Sequence, residues 1–174
     1  MLGIVAIIIL AIIIALIYAA TRPNTFRIER SINIKASPEK IFPLIINFHH
    51  MKSWSAWEEV DPNMKRSYSG AESGKGATYA WDGNKDIGQG SMEILESIPS
   101  SKVLIKIDFY KPFEAHNTVE FTLVLNGETT AVSHAMYGPS PFISKLMSLV
   151  FNMDKMVGAK FDEGLAKLKA IAEK

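Results

Sequence analysis

The chain has 174 residues, a formal net charge of +1, 48% hydrophobic residues and no cysteine, a size that allows one domain with a substantial core. Its 19 Lys and Arg are interspersed among 18 Asp and Glu, so the basic stripe that a nucleic-acid partner requires is missing and no such partner is expected. The lack of cysteine excludes disulfides and thiolate chemistry.

The first predicted element is apolar throughout. Residues 2–20 carry no charge, and as a helix they would be ~28 Å long, close to the ~30 Å hydrocarbon core of a bilayer. A secretory leader would place Lys or Arg ahead of the apolar run and small residues at positions −3 and −1 of a cleavage site. Nothing basic precedes Leu2, and Tyr18 intrudes on the small-residue pattern of Ile17-Tyr18-Ala19-Ala20. Residues 1–21 therefore read as an uncleaved single-pass anchor, with a cleaved leader as the alternative. Arg22, Arg27, Arg30 and Lys35 all follow the span. The tendency of such cations to stay inside favours a cytoplasmic domain, with an extracytoplasmic one as the alternative. Residues 22–25 form a short linker, and Arg22, Arg27 and Arg30 would be placed to meet anionic lipid.

Residues 26–174 read as one domain. In "FRIERSINIKA" Phe26, Ile28, Ile32 and Ile34 alternate with polar residues, the period of a half-buried strand. "SPEKIFPLIINF" follows, with Ser37 as N-cap and Pro38 at the first helical position. After the aromatic loop "HHMKSWSAWEEVDPN", strands are expected at residues 64–69, 76–81, 87–96, 102–110, 115–125 and 130–137. The turn-type separators are short enough to join antiparallel neighbours. From "GPSPF" onward, with Ser140 as cap and Pro141 opening the helix, apolar residues recur at three- and four-residue intervals. One amphipathic helix of ~30 residues is predicted, packing Leu146, Val150, Met153, Val157 and Phe161 on the sheet. The result is an α+β domain whose wide antiparallel sheet curls around its only adequate cover, the final helix.

The order of elements and the strings "RSINIKASPEKIFPLI", "WSAWEEVDPNMKRSYSG", "GKGATYAWDGNKDIGQGSMEI", "KPFEAHNTVEFTL" and "AMYGPSPF…FNMDKMVG" resemble the START-like superfamily, and within it the SRPBCC group of polyketide cyclases/dehydrases and lipid-transport proteins. The resemblance covers residues 26–171. It implies a helix-grip fold, in which a seven-stranded sheet wraps the C-terminal helix and leaves an elongated cavity. It also implies apolar ligands such as lipids, sterols or polyketides, and an N-terminal membrane segment looks familiar in this group.

Motifs that would specify other chemistry fail on spacing. "GAESGKGAT" is one residue short of a phosphate loop and has Gly76 where Ser or Thr is needed. "DGNKDIG" starts with a calcium-loop rhythm, but Ile87 occupies the glycine position. His49, His50, His116 and His134 have no metal-ligand spacing, so neither metal nor cofactor is expected. Alternation turns Val132, His134 and Met136 to the inner face, together with Tyr79, Trp81 and Asn117. On the final helix Asp154 falls at the edge of the apolar stripe, near Met153 and Val157. These eight residues, Tyr79, Trp81, Asn117, His134, Met136, Met153, Asp154 and Val157, are the candidate ligand-binding set. Trp54 and Trp57 read as plugs at one end of the sheet.

The preferred reading is a membrane-tethered carrier or sensor of a lipid or other apolar small molecule. One alternative is a cofactor-independent cyclase or dehydratase using His134 and Asp154 as catalytic pair. Another is a non-catalytic accessory subunit of a membrane complex.

Overall fold

A computed structural model describes residues 2–174. The apolar N-terminal run forms α1 (Leu2–Thr21), most of whose large apolar side chains are exposed, Ile7 by 69% and Ile17 by 61%. Such a helix is long and apolar enough to cross a membrane, and water is a poor surrounding for it.

The alternating segment becomes β1 (Thr25–Ile34). α2 (Pro38–Ile46) opens with Pro38 as the sequence suggests, and Ser37 occupies its N-cap position without a side-chain cap bond; α3 (Phe48–Met51) follows, and residues Ala56–Glu59 make a single 3-10 turn. Six strands come next: β2 (Lys65–Gly70), β3 (Ala77–Asp82), β4 (Gln89–Ile98), β5 (Lys102–Lys111), β6 (Ala115–Asn126) and β7 (Thr129–Pro139). All seven strands form one antiparallel sheet in the order β1-β7-β6-β5-β4-β3-β2. The first strand thus pairs with the last, and the meander runs outward from that pair.

Register shifts in β4, at Gln89/Gly90 and Ile94/Glu96, add local twist and bend the sheet. At Gly90 a side chain is excluded: a Cβ would stand 2.4 Å from the Trp81 ring and 2.5 Å from the Asp108 carbonyl oxygen. The inner face carries Val103, Ile105, Ile107, Val119, Phe121, Leu123 and Val132, all buried.

The final segment departs from the single predicted helix. It folds as α4 (Phe142–Met147) and α5 (Met153–Ala172). Asn152 explains the break, because its side chain accepts from the Lys155 N–H at 2.9 Å and caps a new helix. Ser140 is no cap; its N–H donates to the Asn24 carbonyl at 2.7 Å, and α4 begins after Pro141 without a side-chain cap. Val157, Phe161, Leu165 and Leu168 are buried on the sheet side of α5. Val150 (79% exposed) and Met153 (48%) are not, because the apolar periodicity continues through residues that are no longer one helix. α4 packs instead against the end of α1, where Ala19 is fully buried.

Candidate ligand-binding cavity

Between the concave face of the sheet and the cover made by α4, α5 and the α3–β2 loop lies an open cavity of about 1420 Å³, beyond the 300–1,000 Å³ usual for a small-molecule pocket. All eight candidate residues border it. Their environments differ sharply.

His134 on β7 stands opposite Phe121 on β6 and is held between two aromatic rings. Its imidazole stacks on Phe121 with centroids 4.2 Å apart and on Phe161 of α5 at 3.7 Å. Burial pushes its pKa down to about 3, because charging an imidazole between phenyl rings forfeits its hydration. At neutral pH it is an uncharged ring and a weak proton acceptor.

Asp154 reaches across to the sheet and meets Arg30. The Arg30 Nη1 and Nη2 donate to Asp154 Oδ1 and Oδ2 at 3.1 and 3.0 Å, Nη2 also donates to the Asp154 carbonyl at 3.1 Å, and Nε donates to Asp162 Oδ2 at 3.2 Å. Gly158 lets the guanidinium lie against α5, since a Cβ there would stand 2.0 Å from Nη2. The bond to Arg30 holds the Asp154 carboxyl below its ordinary range. A proton-poor aspartate and an imidazole that resists protonation are poorly matched to general acid–base work near neutral pH. The same geometry corrects the expectation for Arg30, which clamps α5 to β1 and is committed to its aspartates. Arg27 is likewise engaged by Glu29 and Glu120, whereas Arg22 lies over the Tyr18 ring at 5.2 Å.

Tyr79 and Trp81 lie on the inner face of β3, stacked at 6.0 Å, and Trp81 meets Phe109 edge-on. The Tyr79 hydroxyl donates to Glu58 Oε1 at 2.7 Å. Burial, followed by that bond and the charge of Glu58, raises the phenol pKa. Arg66 Nε donates to Glu58 Oε2 at 2.7 Å and its Nη1 to the Met64 carbonyl at 2.8 Å, so the buried carboxylate has a paired counter-charge. The Trp81 indole donates to the Ile87 carbonyl at 3.3 Å. Met136 and Val157 are both buried, while Asn117, half-buried on β6, faces the cavity from opposite Ile107.

Trp54 fits the plug reading: it is buried, edge-on to Phe121 at 5.8 Å, and donates to the Leu44 carbonyl at 2.9 Å. Trp57 is only half-buried and borders the cavity. His49 stacks on Tyr68 and His50 hydrogen-bonds the Pro43 carbonyl, both remaining exposed. In "DGNKDIG" the Asn84 side chain accepts from the Asp86 and Ile87 N–H groups, which makes it a self-closed turn.

Two polar cavity groups escape a reading of sequence patterns. Glu58 sits in a 3-10 turn that has no long periodicity, and its partner Arg66 is eight residues away across a loop. Lys145, only 6% exposed, lies on α4 and donates to Asn24 Oδ1 at 2.6 Å. A lysine in a predicted amphipathic helix gives no sign that it turns inward.

The family profile described as polyketide cyclase / dehydrase and lipid transport matches residues 25–173. Among solved structures the chain is similar to ginseng major latex-like protein 151 from Panax ginseng (TM-score 0.62, 13% identity, covering 87% of this chain and 100% of that one). It is similar to the di-domain ARO/CYC StfQ from the steffimycin biosynthetic pathway (0.63, 11%, 86% and 51%). It also resembles the Aha1 dimer of Colwellia psychrerythraea (0.59, 21%, 85% and 96%). At these identities the likeness speaks for the fold. No curated protein matches in sequence.

Proposed function

Because the chain belongs to the polyketide cyclase / dehydrase and lipid-transport family, we propose that it is a membrane-tethered, non-catalytic carrier or sensor of an apolar molecule held in the cavity. The observation that carries this reading is the cavity itself, about 1420 Å³ and bordered by three tryptophans, phenylalanines and aliphatic side chains. The acid–base alternative is disfavoured by the states of its two residues: His134 is depressed by burial and Asp154 by Arg30.

The position of the cavity relative to α1 supports the tether. α4 packs on the end of α1, and Phe142, Ile143, Val150 and Phe151 are exposed beside it, by 47%, 65%, 79% and 48%. Phe113, 69% exposed on the β5–β6 turn, borders the cavity together with Val150 and Phe151. Apolar side chains clustered next to a membrane span are at home in the headgroup region. An apolar ligand is scarce in water, so holding the cavity mouth at the bilayer raises its effective concentration without any new contact.

The test compares loading of a fluorescent lipid from liposomes by the anchored protein and by a fragment from residue 24 onward. Faster loading of the anchored form is expected. Equal rates at equal protein would refute the tether. No loading by either form, across a broad lipid extract, would favour an accessory subunit of a membrane complex.

A further inference from the structure

The cavity is apolar along most of its length, yet one end holds a lysine that has no counter-ion among the described residues. Lys145 is 6% exposed, and its Nζ donates to the Asn24 amide oxygen at 2.6 Å. That amide satisfies one of the three donors of an ammonium and neutralises none of its charge. Among the described residues no carboxylate lies within ion-pair distance of it. Lysines near a surface normally extend their heads to water, and a buried charge without a partner is costly. Lys145 instead lies inward, bordering the cavity together with Asn24, Ser140 and Ser144.

We infer that this end of the cavity is a head-group site, where Lys145 receives the carboxylate or phosphate of an amphipathic ligand whose tail lies along the apolar interior. The inference rests on the carrier reading and adds the chemical class of its ligand. Charge sets the orientation. At another part of the wall the buried carboxylate of Glu58, with Arg66 and Tyr79, fills its own hydrogen bonds and gives an anion no donor. The Lys145 end adjoins α1 through Asn24, only three residues past the helix end at Thr21, and Arg22 borders the cavity there as well. If α1 spans a bilayer, this end lies at the depth of lipid head groups.

All three tryptophans border the cavity and α1 contains none, so their quenching reports occupancy. The full chain, in phosphatidylcholine nanodiscs at mildly alkaline pH, is titrated with a brominated fatty acid, its methyl ester, and a brominated lysophosphatidate. A charge-assisted contact with the ammonium should make one or both anions bind about tenfold or more tightly than the ester, and the stronger anion identifies the head group as carboxylate or phosphate. Lys145→Met should lose that preference while keeping ester binding, and Lys145→Arg should retain it. Equal binding of ester and both anions by the unaltered chain overturns the head-group site and leaves the carrier reading standing. So does a preference that survives in Lys145→Met. If no probe quenches a chain shown to be folded by circular dichroism, both readings fall.

Discussion

Replacing His134 by phenylalanine should remove an acid-sensitive component of the stability of the domain. The imidazole is 8% exposed between Phe121 and Phe161, and burial lowers its pKa to about 3 from an ordinary value of 6.5. Between these values the unfolded chain holds a proton that the folded chain refuses. Stability therefore rises with pH across the window, is fully present above pH 6.5, and falls by about 1.4 kcal/mol for each unit below it. From pH 6.5 to 5 the loss is ~2 kcal/mol, or roughly 4–8 °C in melting temperature for a domain of this size. Two other sets of groups titrate elsewhere or oppositely. Asp108 and Asp154 have lowered values and act at more acid pH. His116 is raised by its bond to Asp108, so its contribution is present at low pH and is lost as pH rises; being 61% exposed, it is small. Arg30, the cross-strand partner of His134, keeps its charge throughout. Phenylalanine can occupy the same stacked position without titrating. Near-UV circular dichroism melts of the full chain in detergent, run for both proteins from pH 5 to 7.5, should show a steep dependence in the natural chain and a shallow one in His134→Phe. Parallel curves would refute the view that His134 is folded as a neutral ring.

Two further outcomes follow from the break in the final helix and from α1. Val157→Asp places a carboxylate in the buried face of α5 and should cost ~3 kcal/mol, whereas Val150→Asp, at a 79% exposed position, should stay within about 0.5 kcal/mol; equal melting temperatures for the two variants would contradict the assigned faces. Under the tethered reading the cations that follow α1 predict a cytoplasmic domain, so protease added to intact spheroplasts should leave it uncut, and its digestion would reverse the orientation.

The strands were legible because one face of the sheet is buried, which imposes period two on their side chains. Val132, His134 and Met136 turn inward for that reason, as do Ala77, Tyr79 and Trp81. Even the gap in the apolar pattern of β1 has meaning: Arg30 sits on the inner face because α5 supplies Asp154 and Asp162 to receive it. The final helix was misread where local chemistry overrides periodicity. Asn152 starts a new helix within an unbroken apolar rhythm, and α4 finds its partner on α1, which no intrahelical pattern encodes. Glu58 and Lys145 were illegible for a related reason: their inward placement depends on partners distant in sequence, Tyr79 and Asn24, 21 and 121 residues away. Of the site, the faces were readable and the polar contacts were not.

Mass spectrometry of small molecules released from the full chain, purified in mild detergent without added lipid, tests the central claim most directly. The account predicts one class of apolar or amphipathic molecule at close to one per chain. A folded chain that releases nothing beyond bulk lipid and detergent would contradict it.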